Sequence, residues 1–269
     1  TPDNLLRDGN VFALGNGAGI SINSDGDLNL SGSAGQISSG SGGIAINGQK
    51  SVTFANAYTF NAGSNGAVQV STGNAGSGVT VTSSLSVNGG SQLAINTNAL
   101  NLGSGSSINL SRASGSAMLL NSSLGSALNV NVNSSATINS QGGSMEFHAG
   151  ATAPLNFNRQ GAGTAQLNFN GGQLITESSA ADTNLNNVNL QASGNIQVNV
   201  HGGNLNLNGD INSSQQNGVI VLQDPNGMTL TGAGSVGFTN GASGSIFVQS
   251  FGAGNDLTFA GNNVFNAGA

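Results

Sequence analysis

A chain of 269 residues in which only 5% are charged, against about a quarter in an ordinary globular protein, must occupy its polar groups without a charged surface. Its pI near 4.3 and four widely spaced cations (Arg7, Lys50, Arg112 and Arg159) argue against a nucleic-acid partner, because neutralising phosphates needs clustered basic side chains. Hydrophobic residues reach 36% and recur regularly, which argues against disorder, and no apolar run approaches the roughly 18 residues of a membrane helix.

Along the chain one unit repeats: an apolar-polar-apolar triplet, usually followed by Gly, Ser or Asn. It begins with Ile20-Ser21-Ile22, Leu28-Asn29-Leu30, Ile44-Ala45-Ile46 and Val52-Thr53-Phe54. It continues through Val79-Thr80-Val81, Leu93-Ala94-Ile95, Ile108-Asn109-Leu110, Leu128-Asn129-Val130 and Met145-Glu146-Phe147. Later come Leu167-Asn168-Phe169, Val188-Asn189-Leu190, Ile196-Gln197-Val198, Leu205-Asn206-Leu207 and Leu257-Thr258-Phe259. Strict alternation puts both apolar side chains of a triplet on one face, which predicts short, half-buried strands. No helical period is sustained, and the 44 glycines are too frequent for helices of normal length.

Three architectures share this spacing. An antiparallel sandwich would carry longer strands and more hairpin signals of the Asn-Gly type. A transmembrane barrel needs strands of about 9 to 11 residues and aromatic girdles, but the chain has one Tyr and no Trp. A solenoid needs short strands, tight corners and many similar units, and it fits best. The expected fold is all-β, a right-handed parallel β-helix forming one continuous superhelix over residues 1–269.

With two to three strands per turn, a coil of about 17 to 27 residues gives roughly 10 to 14 coils and an axial length of about 50 to 65 Å. Leu, Ile, Val and Phe should stack inward, Gly and Asn should turn the corners, and Asn at matching positions should form amide ladders. Pairing weakens over 176–187, which reads as a longer loop leaving a corner, and 112–125 is also irregular; both read as local decorations on one continuous helix. No amphipathic capping helix is legible in 1–10 or 262–269, so a segment of a longer helix or end-to-end stacking is expected. Thr1-Pro2-Asp3-Asn4 shows no signal peptide, which suits a mature or excised segment, or an unusual cytosolic chain. Cysteine is absent, so there is no disulfide framework.

Ionisable groups are few enough to weigh one by one. Glu146 and His148 flank Phe147 and should share the outer face, either as half of a metal or acid-base site or as a plain solvated pair; the solvated pair is the stronger reading. His201, entering Gly202-Gly203, reads as a corner residue. Asp25-Gly26-Asp27 looks like part of a calcium loop, but the pattern does not recur, so a turn with local side-chain hydrogen bonds is favoured. Asp182, Asp210, Asp224 and Asp256 are too dispersed for the paired carboxylates of a polysaccharide-cleaving β-helix, though stacking coils could still bring Asp210 towards another. No catalytic, cofactor-binding or metal-binding residue is assigned, and no cofactor.

The repeats Gly15-Asn16-Gly17-Ala18-Gly19-Ile20-Ser21-Ile22, Gly26-Asp27-Leu28-Asn29-Leu30 and Gly194-Asn195-Ile196-Gln197-Val198 resemble the β-helical shafts of filamentous-haemagglutinin-like exoproteins. The resemblance spans essentially the whole chain. Asp224-Pro225-Asn226-Gly227 is similar to the Asn-Pro-Asn-Gly motif in the secretion domain of two-partner-secretion proteins. Here Asp replaces the first Asn and the motif lies near the carboxyl end, so that domain is not assigned. Autotransporter passengers share the same repeat character.

The resemblance implies a secreted or surface-exposed bacterial adhesin or extracellular fibre. The expected function is a non-catalytic shaft meeting host or neighbouring-cell glycans or proteins, with no nucleic acid and no membrane span. Two rivals are a subunit that self-associates end to end or laterally, and a polysaccharide-active enzyme.

Overall fold

Short alternating strands bury one face only if another layer covers it, and a solenoid supplies that layer from its own next wall. The computed structural model describes residues 3–4, 11–12, 19–32, 34–40, 42–63, 66–74, 76–122, 126–179, 181–251 and 255–268. Arg7 and most of 1–10 lie outside the described residues, as do residues 15–18 of the first quoted repeat. Among the described residues there is no helix, and hence none long and apolar enough to cross a membrane.

Strands of two to seven residues pair in parallel, each with the strand three places further along the chain. The backbone therefore visits three sheets in turn. Sheets A and B have eleven strands each and sheet C has ten, so the fold is a parallel β-solenoid. One coil shows the plan: Leu128–Val132 lies in sheet A, Ser135–Ser140 in B and Ser144–His148 in C. The next coil repeats it with Leu155–Arg159, Ala165–Asn170 and Leu174–Ser179. Ten intervals of about 4.8 Å give sheets A and B an axial span of about 48 Å.

Two expectations need correction. Coils are longer in places than the spacing implied: register partners lie 21 residues apart at Thr80 and Asn101, but 31 at Asn139 and Asn170. The segment 176–187 is no loop. It completes Leu174–Ser179 and contains Thr183–Asn186, because Thr176, Ser178 and Thr183 take inward positions where aliphatic residues were sought. The irregularity in 112–125 is real: the strand Ser116–Asn121 lies there, and its register slips between Ser116 and Met118. That slip buries Ala117 and Met118 consecutively and breaks the two-residue period.

The interior is a stack of apolar columns. Leu100, Val130 and Phe157 follow one another up sheet A, and Ile108, Ile138 and Phe169 up sheet B, all buried. Aromatic rings tie the walls together: Phe147 of sheet C meets Phe157 of A at 5.8 Å and Phe169 of B edge-on at 5.6 Å. Near the start, Phe54 contacts both Tyr58 and Phe60. Gly35 makes room for the Tyr58 ring, since a Cβ there would lie 2.5 Å from its Cε1. Asn187, Asn217 and Asn240 adopt the positive φ that corners require. One corner is a column of glycines: a methyl on Gly172 would strike the carbonyl oxygen of Gly143, and one on Gly194 that of Gly172.

Two outcomes follow. Gly172→Ala should destabilise the chain by about 1–3 kcal/mol, as overpacking against backbone does, measured by denaturant midpoint. Burial pushes the Tyr58 hydroxyl above its usual pKa, with the nearby Gly32 backbone a smaller opposing influence. A folded-state value above the unfolded one contributes stability below the ordinary tyrosine pKa of about 10 and loses it as pH rises through the raised value. Alkaline denaturation should therefore coincide with ionisation of this sole Tyr, read by its ultraviolet absorbance, and Tyr58→Phe should remove that component.

Candidate functional site: amide ladders, capping carboxylates and a histidine–glutamate row

The outer faces are built by the same register that builds the core. Parallel partners place like residues one above another, and on sheet A those residues are mostly asparagines. Asn156 Nδ2 donates to Asn129 Oδ1 at 2.9 Å, and Asn184 to Asn156 at 2.7 Å; Asn206 then donates to Asn184. A second row runs beside it, with Asn131 donating to Asn101 at 2.8 Å, Asn158 to Asn131 at 3.1 Å and Asn186 to Asn158 at 2.8 Å. Hydroxyls stand at the row ends, Thr80 accepting from Asn101 and Thr231 donating to Asn206. Every link points from one coil to the coil before it. Interior amides such as Asn131 and Asn156 spend their oxygen and one hydrogen on the ladder and keep a second hydrogen for solvent or a ligand, while Asn158 also reaches across to Asn129 at 3.4 Å. Sheet B repeats the motif, with Asn139 donating to Asn109 at 2.7 Å and Asn170 to Asn139 at 2.9 Å.

Three of the four dispersed aspartates use their carboxylates to hold neighbouring coils. Asp224 is fully buried, and its carboxylate accepts the Gly202 amide at 2.7 Å and the Asn226 amide at 2.6 Å. It thereby anchors the Asp224-Pro225-Asn226-Gly227 turn to the coil beneath. Alternation signals this inward position, since Ile220, Leu222 and Asp224 share one face of the strand Gly218–Asp224. Asp210 accepts the Ser235 amide at 2.7 Å and its hydroxyl at 2.8 Å, and Asp182 accepts the Asn204 amide at 2.7 Å. Asp27 accepts the Ser51 hydroxyl at 2.7 Å. In the turn before it the local side-chain bond comes from Ser24, which accepts the Gly26 amide at 3.2 Å. Asp256 offers its backbone carbonyl to Met228.

One outer position breaks the pattern of neutral side chains. Glu146 and His148 lie on the same face of Ser144–His148, as the alternation predicts. Register then sets His148 opposite Glu177, and His201 reaches back from the next strand, Ile196–His201. His148 Nδ1 lies 3.4 Å from Glu177 Oε2, and His201 Nε2 lies 3.5 Å from Glu177 Oε1. On the other side, His148 Nε2 lies 3.5 Å from Glu146 Oε2, within ion-pair range but without hydrogen-bond geometry. Ser144 donates to the other Glu146 oxygen at 2.6 Å. The chain has two histidines and two glutamates, and all four stand in this row. Sequence reading found the first pair and missed the second, because Glu177 and His201 arrive from later coils of unequal length. Among the described residues, no three His, Cys, Asp or Glu groups are placed to hold a metal ion.

Concave surface is shallow. A groove of about 350 Å³ at one corner is lined by Thr164, Asn189, Asn208 and Asp210, and another of about 300 Å³ by Asn98, Asn129, Asn131 and Asn158. Both are open to solvent. Comparison with family models, with curated proteins and with solved structures finds no match.

Asp224 gives the sharpest local test. Asp224→Ala leaves two amides without their acceptor and should cost about 1–3 kcal/mol in equilibrium unfolding. Asp224→Asn keeps one acceptor oxygen but turns an NH2 donor towards the other backbone N–H, so it should also destabilise the chain, by a comparable amount.

Proposed function

We propose that this chain is a non-catalytic shaft of a secreted or surface-exposed bacterial protein, an adhesin or extracellular fibre of the filamentous-haemagglutinin-like or autotransporter type. The observation that carries this reading is the pair of asparagine ladders on sheet A, a repetitive, uncharged face that extends over many coils. Such a face hydrogen-bonds hydroxyl-rich partners at many equivalent points, each weak, and avidity then comes from their number. Cell-surface glycans have that chemistry. Two of the carboxylates that a polysaccharide-cleaving enzyme would draw upon, Asp210 and Asp224, instead receive backbone amides of neighbouring turns. That commitment supports a scaffold over an enzyme.

The test combines binding and turnover. The intact chain should bind immobilised cell-surface glycans with an affinity that rises steeply with ligand density. Asn131→Ala or Asn158→Ala alone should weaken binding by no more than about two-fold, whereas combining substitutions along both rows should abolish it, as multivalent contact requires. Release of reducing sugar from acidic glycans, lost in Asp210→Asn, would contradict the scaffold reading. Binding that disappears with one substitution would contradict the distributed face.

A further inference from the structure

The three walls differ on the outside. On sheet A from Ser51–Phe54 to Met228–Gly232, no outward position carries an apolar side chain larger than alanine. The same holds on sheet B from Tyr58–Asn61 to Ser235–Phe238. Sheet C is different. Register stacks one outward column in the order Ala94, Leu119, Glu146, Ile175, Gln197, Val221 and Phe247, one residue from each of seven successive strands. Leu119, Ile175 and Val221 are part-exposed, and Phe247 is 49% exposed. Single apolar residues on a surface need no explanation, but aligned in one column they form a stripe that a second surface would cover.

The column reads alike from either end: two apolar residues, a polar one, Ile175, a polar one, two apolar residues. A two-fold axis parallel to the strands at the level of Ile175 keeps strand direction and reverses the coil order of a second copy. Ile175 then meets its own counterpart, Leu119 meets the second copy's Val221, and small Ala94 meets large Phe247. Glu146 meets Gln197. One Glu146 oxygen accepts from Ser144, and Gln197 gives one amide hydrogen to Asn199 at 3.0 Å. The other carboxylate oxygen and the other amide hydrogen remain for a charge-assisted bond, formed twice by symmetry. An isologous interface requires this kind of self-complementarity. Glu177 opposes it, because two residues along the same strand from Ile175 it faces its own counterpart across the axis. Seven strands of about five residues span about 34 Å by about 16 Å, giving a footprint of about 1,100 Å² for the two copies together, just above the roughly 1,000 Å² a specific interface needs.

We propose that two copies of this chain pair side by side, sheet C against sheet C, as a two-fold dimer of oppositely directed solenoids centred on Ile175. The apolar column is the centre of the contact, and the Glu146–Gln197 bonds fix its register. A shift of one coil sets Glu146 against an apolar residue and removes both bonds. Sheet A is a separate wall, so the pair presents its asparagine rows twice, and pairing is independent of what those rows bind.

Sedimentation equilibrium of the intact chain from about 1 μM to about 1 mM tests the pairing, and a monomer–dimer equilibrium should appear within that range. Ile175→Asp should weaken the dimer roughly ten-fold or more, as charging the centre of an interface does. Glu177→Gln should tighten it about two- to five-fold by removing the repulsion at the axis. Thr53→Asp, the same charge on sheet A, should change nothing. The axis is located by cross-linking, since the chain has no cysteine of its own. Facing sheets lie about 10 Å apart, beyond the reach of a direct disulfide, so a short thiol-to-thiol reagent is used. Ile175→Cys should couple to itself and Leu119→Cys alone should not, whereas a mixture of Leu119→Cys and Val221→Cys chains should give the mixed pair. A chain that stays monomeric to about 1 mM overturns the proposal. So does a dimer indifferent to Ile175→Asp, or Leu119→Cys coupling to itself as readily as Ile175→Cys. Should Ile175→Asp fail to fold, wild-type sedimentation and the cross-linking pattern decide.

Discussion

Everything in this molecule depends on successive coils lying in parallel register. A strand flanked on both sides by parallel partners hydrogen-bonds along both edges, and each side chain then sits above one from the coil before. The two-residue period sends alternate side chains inward and outward, so a slip of one residue would exchange the two faces entirely. Register is thus enforced from the inside by the buried aliphatic columns. Rings such as Phe147, Phe157 and Phe169 bridge the three walls and leave no room for such a slip.

The outer faces are a consequence of that register and in turn support it. Asparagine is a poor strand former, because its side chain competes for backbone hydrogen bonds. Stacked in register it finds a better partner, the amide directly below, and rows such as Asn101, Asn131, Asn158 and Asn186 become self-satisfying. Buried or half-buried carboxylates act similarly at the corners, where Asp182, Asp210 and Asp224 accept amides from adjoining turns. A chain with so little charge remains well hydrogen-bonded because its polar groups are paired coil to coil. The same repetition makes a long uniform face, which suits many weak contacts better than one deep pocket.

How much of this was legible in the sequence depended on whether alternation was carried by aliphatic residues. Val52-Thr53-Phe54 and Ile108-Asn109-Leu110 read directly as strands, and both are. The strand Thr183–Asn186 was hidden because Thr176, Ser178 and Thr183 point inward where aliphatic residues were sought, with Thr183 donating to Ser178 at 3.1 Å. Ser116–Asn121 was hidden by its register shift. The glutamate–histidine pair at 146 and 148 was visible because it lies within one strand. Its extension to Glu177 and His201 was not, since pairing between coils requires knowing the length of every intervening turn. Asp224 read only as one of four dispersed acids, yet the period running through Ile220 and Leu222 already placed it inside.

Parallel register between coils is most directly measured by distances that ignore sequence separation. Spin labels at Thr53 paired in turn with Asn158, Asn186 and Asn208, all in one outward column of sheet A, report it. At about 4.8 Å per coil the backbone separations should be about 19, 24 and 29 Å, rising by one equal step per coil although the intervening turns differ in length. Broad distributions, or distances that scale with the number of intervening residues, would contradict the stacked solenoid.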